Sequence, residues 1–187
     1  MHDARAFSGQ AISYATGPRG ACHLKGDYYA VDTGGAVLEL NILPGDRLQS
    51  EGKAEPAAKY QSFKDLFDSL LLCKFAPLTA TQISEILTSI TGWNYAPADL
   101  NTAGERSVNI KRAISNKLGV SRKDDKLPKV CIEALKEGST AGKSPDMDLM
   151  LKEYYNYRKW DWNTGKPTKE KLIELGMEDI ARDLWPS

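Results

Sequence analysis

Histidine is nearly absent from this sequence: there are two in 187 residues, His2 and His23. No HExxH pair, Walker A loop or GxGxxG turn occurs. A Ser-His-Asp catalytic set needs an oriented imidazole, and no local motif supplies one. An excess of charge of one sign is missing too. Lys plus Arg number 25 and Asp plus Glu number 25, so the formal net charge is zero. Nucleic-acid binders carry a basic excess or stripe, so no nucleic-acid partner is expected. No apolar run approaches the roughly 20 residues of a membrane helix. The opening "MHDARAFSGQAISYATG" lacks the basic start and apolar core of a signal peptide. No membrane partner is expected.

Cysteine is sparse and odd in number: Cys22, Cys73 and Cys131, far apart, with no CxxC. This argues against a disulfide framework and suits a reducing cytoplasm. It also means that the chain alone cannot supply four thiolates to a metal cluster.

What is present suits a mostly α protein. Hydrophobic residues make up 41% and charged residues 27% of the chain, enough for one ordinary domain or two small lobes. Residues 4–16 carry apolar residues at helical spacing, stopped by Gly17-Pro18. A second short helix is expected over 19–29. Residues 32–55, rich in Gly and Pro at both ends, read as a loop or hinge. From Pro56 the helical period is strong. Tyr60, Phe63, Phe67, Leu70 and Leu71 form a wide apolar face, and Pro77 ends it. Thr79 and Gln82 have capping-box spacing for the next helix, with Ile83, Ile86, Leu87 and Ile90 as its core stripe and Gly92 as its stop. A long helix runs from Pro97 to Gly119. Residues 120–130 read as a loop and 137–145 as a flexible linker. Three helices close the chain, with Asp146 near the start of one, and Thr168 and Gly176 bounding another. Two units are expected: 1–55, a helical segment and loop, and 56–187, all helical.

Few residues point to chemistry by themselves. Cys22 and His23 are adjacent, about 100° apart on a helix, and so make poor partners for one metal. Cys22 reads as a packed small residue. His23 sits in "GPRGACHLK" between Arg19 and Lys25, a cationic Gly-rich segment that suits either an anionic cofactor or a structural role. In "DSLLLCKF", Asp68 and Cys73 lie about 140° apart on a continuous helix. They can serve one point only if the helix ends between them, and Lys74-Phe75-Ala76-Pro77 marks an ending near Cys73. Glu105 and Arg106 read as an internal ion pair or cap. Asn109, Arg112 and Asn116 share one helix face, for structure or for a cavity lining. Tyr154, Tyr155, Trp160 and Trp162 read as packing.

Taken together, these segments resemble one family. "DSLLLCKF" resembles the Asp-x-x-Gly-Leu-Cys cofactor motif of the tungsten-containing aldehyde ferredoxin oxidoreductases. "MHDARAFSGQAISYATGPRGACHL" is similar to the segment ahead of that motif. "AGERSVNIKRAISNKLGVSRKDDKLP" and "MLKEYYNYRKWDWNTGKPTKEKLIELGME" resemble two later blocks, in the family's order. The resemblance spans nearly the whole chain. It implies the helical C-terminal lobes of a much longer protein, with Met1 matching an internal methionine.

It further implies a tungsten (or molybdenum) bis-molybdopterin and a [4Fe–4S] cluster. Cys73 would be the fourth cluster ligand beside a Cys-x-x-Cys-x-x-x-Cys run in the parent's preceding domains. Asp68 would accept hydrogen bonds from pterin N–H groups, and the Leu72 backbone would face the pterin. His23 would be the proton-transfer residue, and Lys25 would meet cofactor phosphate. The implied reaction is oxidation of an aldehyde to a carboxylate, with electrons passing to ferredoxin. A related acyl-CoA reductase subunit, or a helical binding module without redox function, are the alternatives. A homo-oligomer is possible on this reading. Two glycines of the family pattern are replaced here, by Leu71 and by Lys159. Leu71 conflicts with a left-handed backbone or close cofactor approach; Lys159 reads as a surface helix position. The face that would meet the cofactor is expected to be apolar.

Overall fold

Most helix ends among the described residues fall where the backbone turns left-handed. The computed structural model describes residues 2–20 and 22–186; Met1, matched above to an internal methionine, lies outside the described residues. Eight α-helices occur among the described residues: α1 (Ser8–Ala15), α2 (Tyr29–Asp32), α3 (Ala54–Ser69), α4 (Ala80–Thr91), α5 (Pro97–Lys117), α6 (Met147–Arg158), α7 (Lys169–Glu174) and α8 (Glu178–Leu184). No strand is longer than an isolated bridge among them. The mostly α expectation holds.

The first 55 residues differ from the sequence reading in detail. The Asp3 carboxylate accepts the Arg5 backbone N–H (2.9 Å) and its guanidinium (2.7 Å). This local turn competes with helix, so α1 starts later than the apolar spacing predicts. The helix expected over 19–29 is broken into a single 3₁₀ turn, His23–Lys25, and α2. Gly26 and Asp27 cause the break. A Cβ at Gly26 would lie 2.5 Å from Ser13 Oγ, and Asp27 is left-handed (φ 41°). The 32–55 loop is pinned rather than hinge-like. Val37 and Ile42 exchange two backbone hydrogen bonds (2.9 and 3.1 Å). Buried Lys53 donates to Asp32 and to the Asp46 carbonyl (both 2.8 Å). Ala11, Ile12, Tyr28, Val31 and Ile42 share one core with Phe63, Phe67, Leu100, Met150 and Tyr154.

The centre of that core is α3, packed against α1, α5 and α6. It is buried on almost every side from Ala57 to Phe67, polar residues included. At its crossing with α5 the backbones nearly touch. A Cβ at Gly104 would sit 2.0 Å from the Ser62 carbonyl oxygen, so glycine is required there. Arg158, at the end of α6, is fully buried (0% exposed). It donates to Ser62 Oγ (2.7 Å), the Ala58 carbonyl (2.8 Å) and Gln61 Oε1 (3.0 Å), all on α3. Glu105 pairs with Lys171 (3.0 Å). Arg112 is bidentate to Asp125 (2.7 and 2.9 Å), donates to the Gly165 carbonyl (2.7 Å) and stacks 4.5 Å from the Trp160 ring centre. Trp160 Nε1–H in turn reaches Asn109 Oδ1 (2.8 Å). Glu105 forms the internal ion pair expected of it, and Asn109 and Arg112, candidate cavity residues in the sequence, are likewise spent on internal pairing. Tyr154, Tyr155 and Trp160 are buried as expected.

Several caps match the sequence. Thr79 and Gln82 form the capping box of α4, Asp146 and Thr168 cap α6 and α7, and Gly92 ends α4 at φ 74°. Two expectations need correction. The stripe of α4 is only partly core: Ile83 is buried, Leu87 half-buried, and Ile86 and Ile90 are exposed. The helix lies at an edge, packed on α5, so its outer side faces solvent. The 137–145 stretch is a set of tight turns with buried Thr140, closed by Gly142 N–H on the Leu135 carbonyl (2.9 Å).

Helix α3 ends at Ser69, well before Pro77, because Leu71 is left-handed (φ 57°). Leu72 N–H bonds the Phe67 carbonyl (2.8 Å) and Leu71 N–H the Asp68 carbonyl (3.2 Å), the Schellman pattern. Leu71, expected on the apolar face, is 92% exposed. Lys159 repeats the arrangement after α6: φ is 52°, Trp160 N–H reaches the Tyr155 carbonyl (2.9 Å) and Lys159 N–H the Asn156 carbonyl (3.2 Å). It is therefore a helix terminator rather than a surface helix position. Both departures from glycine fall where the backbone is left-handed.

Two stability outcomes follow. Leu71→Gly is expected to raise the unfolding free energy by about 1 kcal/mol, whereas Leu71→Ala, which keeps a Cβ, should give no gain; urea midpoints read both. Arg112→Met should lower it by about 3–5 kcal/mol by stranding a buried carboxylate. Adding Asp125→Leu should recover most of that loss, and an unchanged midpoint for Arg112→Met would contradict the pairing.

Candidate functional site

The end of α3 carries two carboxylates at i and i+3, Asp65 and Asp68, which share a face. Asp65 is 1% exposed and Asp68 half-buried. The left-handed Leu71 then turns the chain back. Lys64 Nζ donates to the Lys74 carbonyl (2.7 Å), and Lys74 Nζ returns a bond to the Lys64 carbonyl. These reciprocal ties hold the segment carrying Cys73 against the helix. Cys73 itself is exposed. The helix thus ends between Asp68 and Cys73, so the 140° separation of a continuous helix does not apply.

The His23–Lys25 turn meets this helix end. Lys25 is buried, its ammonium 3.1 Å from Asp65 Oδ1 and in an ion pair with Asp68 Oδ2. Lys111 from α5 binds Asp65 (2.7 and 2.8 Å), and Lys74 pairs with Asp68 (3.0 Å). Lys25 therefore links the 22–27 turn to the 68–74 segment, 40 residues on from it to Asp65. His23 is exposed. Its ring lies 5.7 Å from that of His2, edge to face, and His2 stacks on Tyr29 at 3.4 Å.

Burial and pairing oppose each other here. Burial pushes the Asp65 carboxyl up, but hydrogen bonds from Lys111 and Ser107 and the charges of Lys111 and Lys25 hold it below its ordinary value. For Lys25, burial outweighs Asp65 and its pKa falls. Burial also lowers Lys64. Lys74 falls to about 8, chiefly through burial, although Asp65 pulls it up. Cys22 is half-buried and accepts Arg19 Nη2–H (3.1 Å). Burial raises that thiol, but the Arg19 bond and backbone N–H groups of Leu24 and Lys25 bring its pKa below the ordinary value.

Of the residues singled out from the sequence, Lys25 meets Asp68 directly and Cys73 adjoins Lys74, which pairs with Asp68; His23 is two residues from Lys25. Lys25, expected on cofactor phosphate, has its ammonium on two carboxylates. The N–H of Leu72 is spent on the helix end, which leaves its carbonyl to face a ligand. Sequence reasoning missed Asp65, Lys74, Lys111 and Asp27. The i, i+3 spacing of Asp65 and Asp68 was a usable signal, and Lys74 stands in the same stretch as Cys73; Lys111 comes from a distant segment and gave none. Asn116 binds the Val120 carbonyl (2.9 Å) and closes the loop after α5.

The donor set fits part of what the resemblance implies. A [4Fe–4S] cluster takes four thiolates, and Cys73 is one exposed thiol. No group of three or more His, Cys, Asp or Glu side chains able to hold a metal lies among the described residues. Asp68 has the acceptor chemistry that pterin N–H groups need, and Lys25 and Lys74 supply cations beside it.

The sequence profile "Aldehyde ferredoxin oxidoreductase, domains 2 & 3" matches residues 1–177. The tungsten-containing aldehyde ferredoxin oxidoreductase of Pyrococcus furiosus is 33% identical over 183 residues, covering 96% of this chain and 29% of that relative. The proteins of the same name from Pyrococcus abyssi and Thermococcus kodakarensis are 32% and 31% identical over the same coverage. The chain spans 29% of the length of these relatives. With the motif order, the helical fold and this match in hand, the chain belongs to the aldehyde ferredoxin oxidoreductase family, in the part formed by domains 2 and 3.

Proposed function

We propose that this chain acts as the C-terminal helical part of a tungstopterin aldehyde oxidoreductase that passes electrons to ferredoxin. The observation that carries the reading is the Lys25–Asp68 ion pair. It joins the turn of His23 and Lys25 to the segment of Asp68 and Cys73, which supports the reading.

Aldehyde and water give carboxylate, three protons and two electrons. The bound tungsten–pterin and iron–sulfur groups supply the redox chemistry, and the protein supplies position, hydrogen bonds and proton transfer. In this reading Asp68 would accept from pterin N–H donors. Lys25 and Lys74, beside it, would be the cations for cofactor phosphate. Cys73 offers one thiolate to a cluster whose other ligands come from another stretch of polypeptide. His23, exposed beside this region, takes or returns a proton. Tungsten is named for the relatives, and molybdenum would meet the same donor groups. The exposed apolar side chains of the Cys73 segment and of α4 support a covered interface: Leu71, Phe75, Ile86 and Ile90 are all exposed, and such patches mark interaction surfaces. The three free thiols suit a reducing compartment, the cytoplasm. No described helix is long and apolar enough to cross a membrane.

The chain alone is expected to be inactive and to hold no intact cluster. Iron analysis giving about 4 Fe per chain would overturn that. In the polypeptide that brings the remaining ligands, Cys73→Ser should lose or weaken the cluster, and unchanged iron content with unchanged aldehyde oxidation would sink the assignment.

The reading also needs Asp65 ionised to hold Lys25. Its folded pKa is depressed, so its stabilising contribution is present above the unfolded value and lost as pH falls through the folded one. The gap in unfolding free energy between wild type and Asp65→Asn should be widest above about pH 4 and shrink below it. A gap that stays flat down to acid pH would contradict the pairing.

A further inference from the structure

A cavity of about 260 Å³ lies between the end of α1, the second half of α5 and the loop that follows it. None of Lys25, Asp65, Asp68 or Cys73 lines it, so the function above does not use it. The 14–20 stretch supplies one part of the lining. Arg112 and Ser115 of α5, the 124–126 loop and Trp160 supply most of the rest.

These walls are braced from behind. Arg112 is held by Asp125, by the Gly165 carbonyl and by the Tyr155 hydroxyl (3.0 Å). Trp160 is held by Asn109 and by the Arg112 guanidinium over its ring. Thr16 Oγ1 donates to the Ile12 carbonyl (2.8 Å). A Cβ on Gly17 would lie 2.6 Å from the Gly20 carbonyl oxygen, so the turn there has no slack. Small-molecule sites are largely preformed and run from roughly 300 to 1,000 Å³. This cavity falls just below that range, which suits a single ring and excludes a nucleotide.

The lining also limits the chemistry of an occupant. Two cations, Arg112 and Lys126, face two carboxylates, Asp124 and Asp125, so neither an anion nor a cation is drawn in. The polar groups left over are donors. A guanidinium has five N–H groups, and Arg112, only 5% exposed, makes four hydrogen bonds among the described residues. Ser115 is half-buried, and its hydroxyl makes no hydrogen bond among the described residues. Buried donors call for an acceptor. Tyr14, Pro18, Val108 and Trp160 make the remaining surface aromatic or apolar.

We propose that this cavity is a binding site for a single-ring molecule with an uncharged hydrogen-bond acceptor, of the aryl amide or aryl ketone class. The ring packs among Tyr14, Val108 and Trp160, and the carbonyl oxygen accepts from Arg112 and Ser115. Binding is non-covalent. The 14–20 wall runs on into the His23–Lys25 turn, so an occupant braces the stretch that leads to His23. The site itself does not depend on the function proposed above.

The test is a titration of the full chain with benzamide, which does not condense with lysine as an aldehyde would. It is followed through the four tryptophan indole N–H signals in a proton–nitrogen correlation spectrum, with Trp160→Phe identifying the one that matters. The Trp160 signal should shift and saturate at roughly millimolar probe, while those of Trp93 and Trp185 stay in place. Ser115→Phe, which fills the cavity from a half-buried position, should abolish the shift at unchanged helix content. Ser115→Ala should weaken binding about 3- to 10-fold, and it reads the site even if Ser115→Phe does not fold. Benzoate and benzylamine, charged molecules of the same ring, should bind at least about 10-fold more weakly. No saturable shift at Trp160, equal binding of the charged analogues, or binding indifferent to both Ser115 variants overturns the proposal. None of these results bears on iron content, so this site and the cofactor assignment fail separately.

Discussion

A helix buried on almost every side must pair most of its polar groups with other segments. α3 is such a helix from Ala57 to Phe67, and Gln61, Ser62, Lys64 and Asp65 lie inside with its aromatic residues. Each draws a partner from elsewhere, although the Gln61 amide nitrogen has none among the described residues. Arg158 comes from α6 to Ser62 and Gln61, Lys111 from α5 to Asp65, and Lys25 from the 3₁₀ turn to Asp65 as well. Removing one member of a buried pair leaves an uncompensated charge, a penalty of about 3–5 kcal/mol. These demands orient three other segments around α3. The Lys25–Asp68 contact of the candidate site is one consequence of the same requirement.

This explains which features were legible in the sequence. Helix stops and caps are local. Thr79 with Gln82, Asp146, Thr168 and Gly92 act within a turn of themselves, and each does what its spacing implied. The start of α1 was misjudged because apolar spacing says nothing of the Asp3–Arg5 turn that competes with it. The outer half of the α4 stripe was misjudged because periodicity reports a face and not its cover. For the site, motif order marked Asp68, Cys73, His23 and Lys25. Their mutual placement depends on Asp65 and on lysines far away in the chain, and no local pattern encodes it.

The two replaced glycines show how a motif position acquires its physical meaning. Glycine at 71 or at 159 would read as a flexible site or as room for a ligand. The structure assigns both positions to the same event, a left-handed residue ending a helix with paired 6→1 and 5→2 bonds. Leucine and lysine fill these positions with a Cβ that the conformation disfavours by roughly 1–2 kcal/mol. The turn survives because the capping bonds and the ties between Lys64 and Lys74 hold it. Leucine at 71 therefore does adopt the left-handed backbone (φ 57°).

What Leu71 alters instead is the surface. Its side chain stands 92% exposed beside an exposed Cys73. A groove lined by Leu70, Leu72, Leu78, Ile83, Ile86, Leu87 and Ile90 runs next to it. Apolar area of this kind is costly in water, at about 25 cal/mol for each Å². On the function proposed, glycine at 71 would bring backbone close to the pterin, and leucine offers a large apolar contact in its place. Asp68 and Cys73 keep their positions in either case, because the left-handed turn between them is unchanged. The substitution thus bears on what covers the helix end, while the Asp68 carboxylate and the Cys73 thiol remain on either side of the same turn.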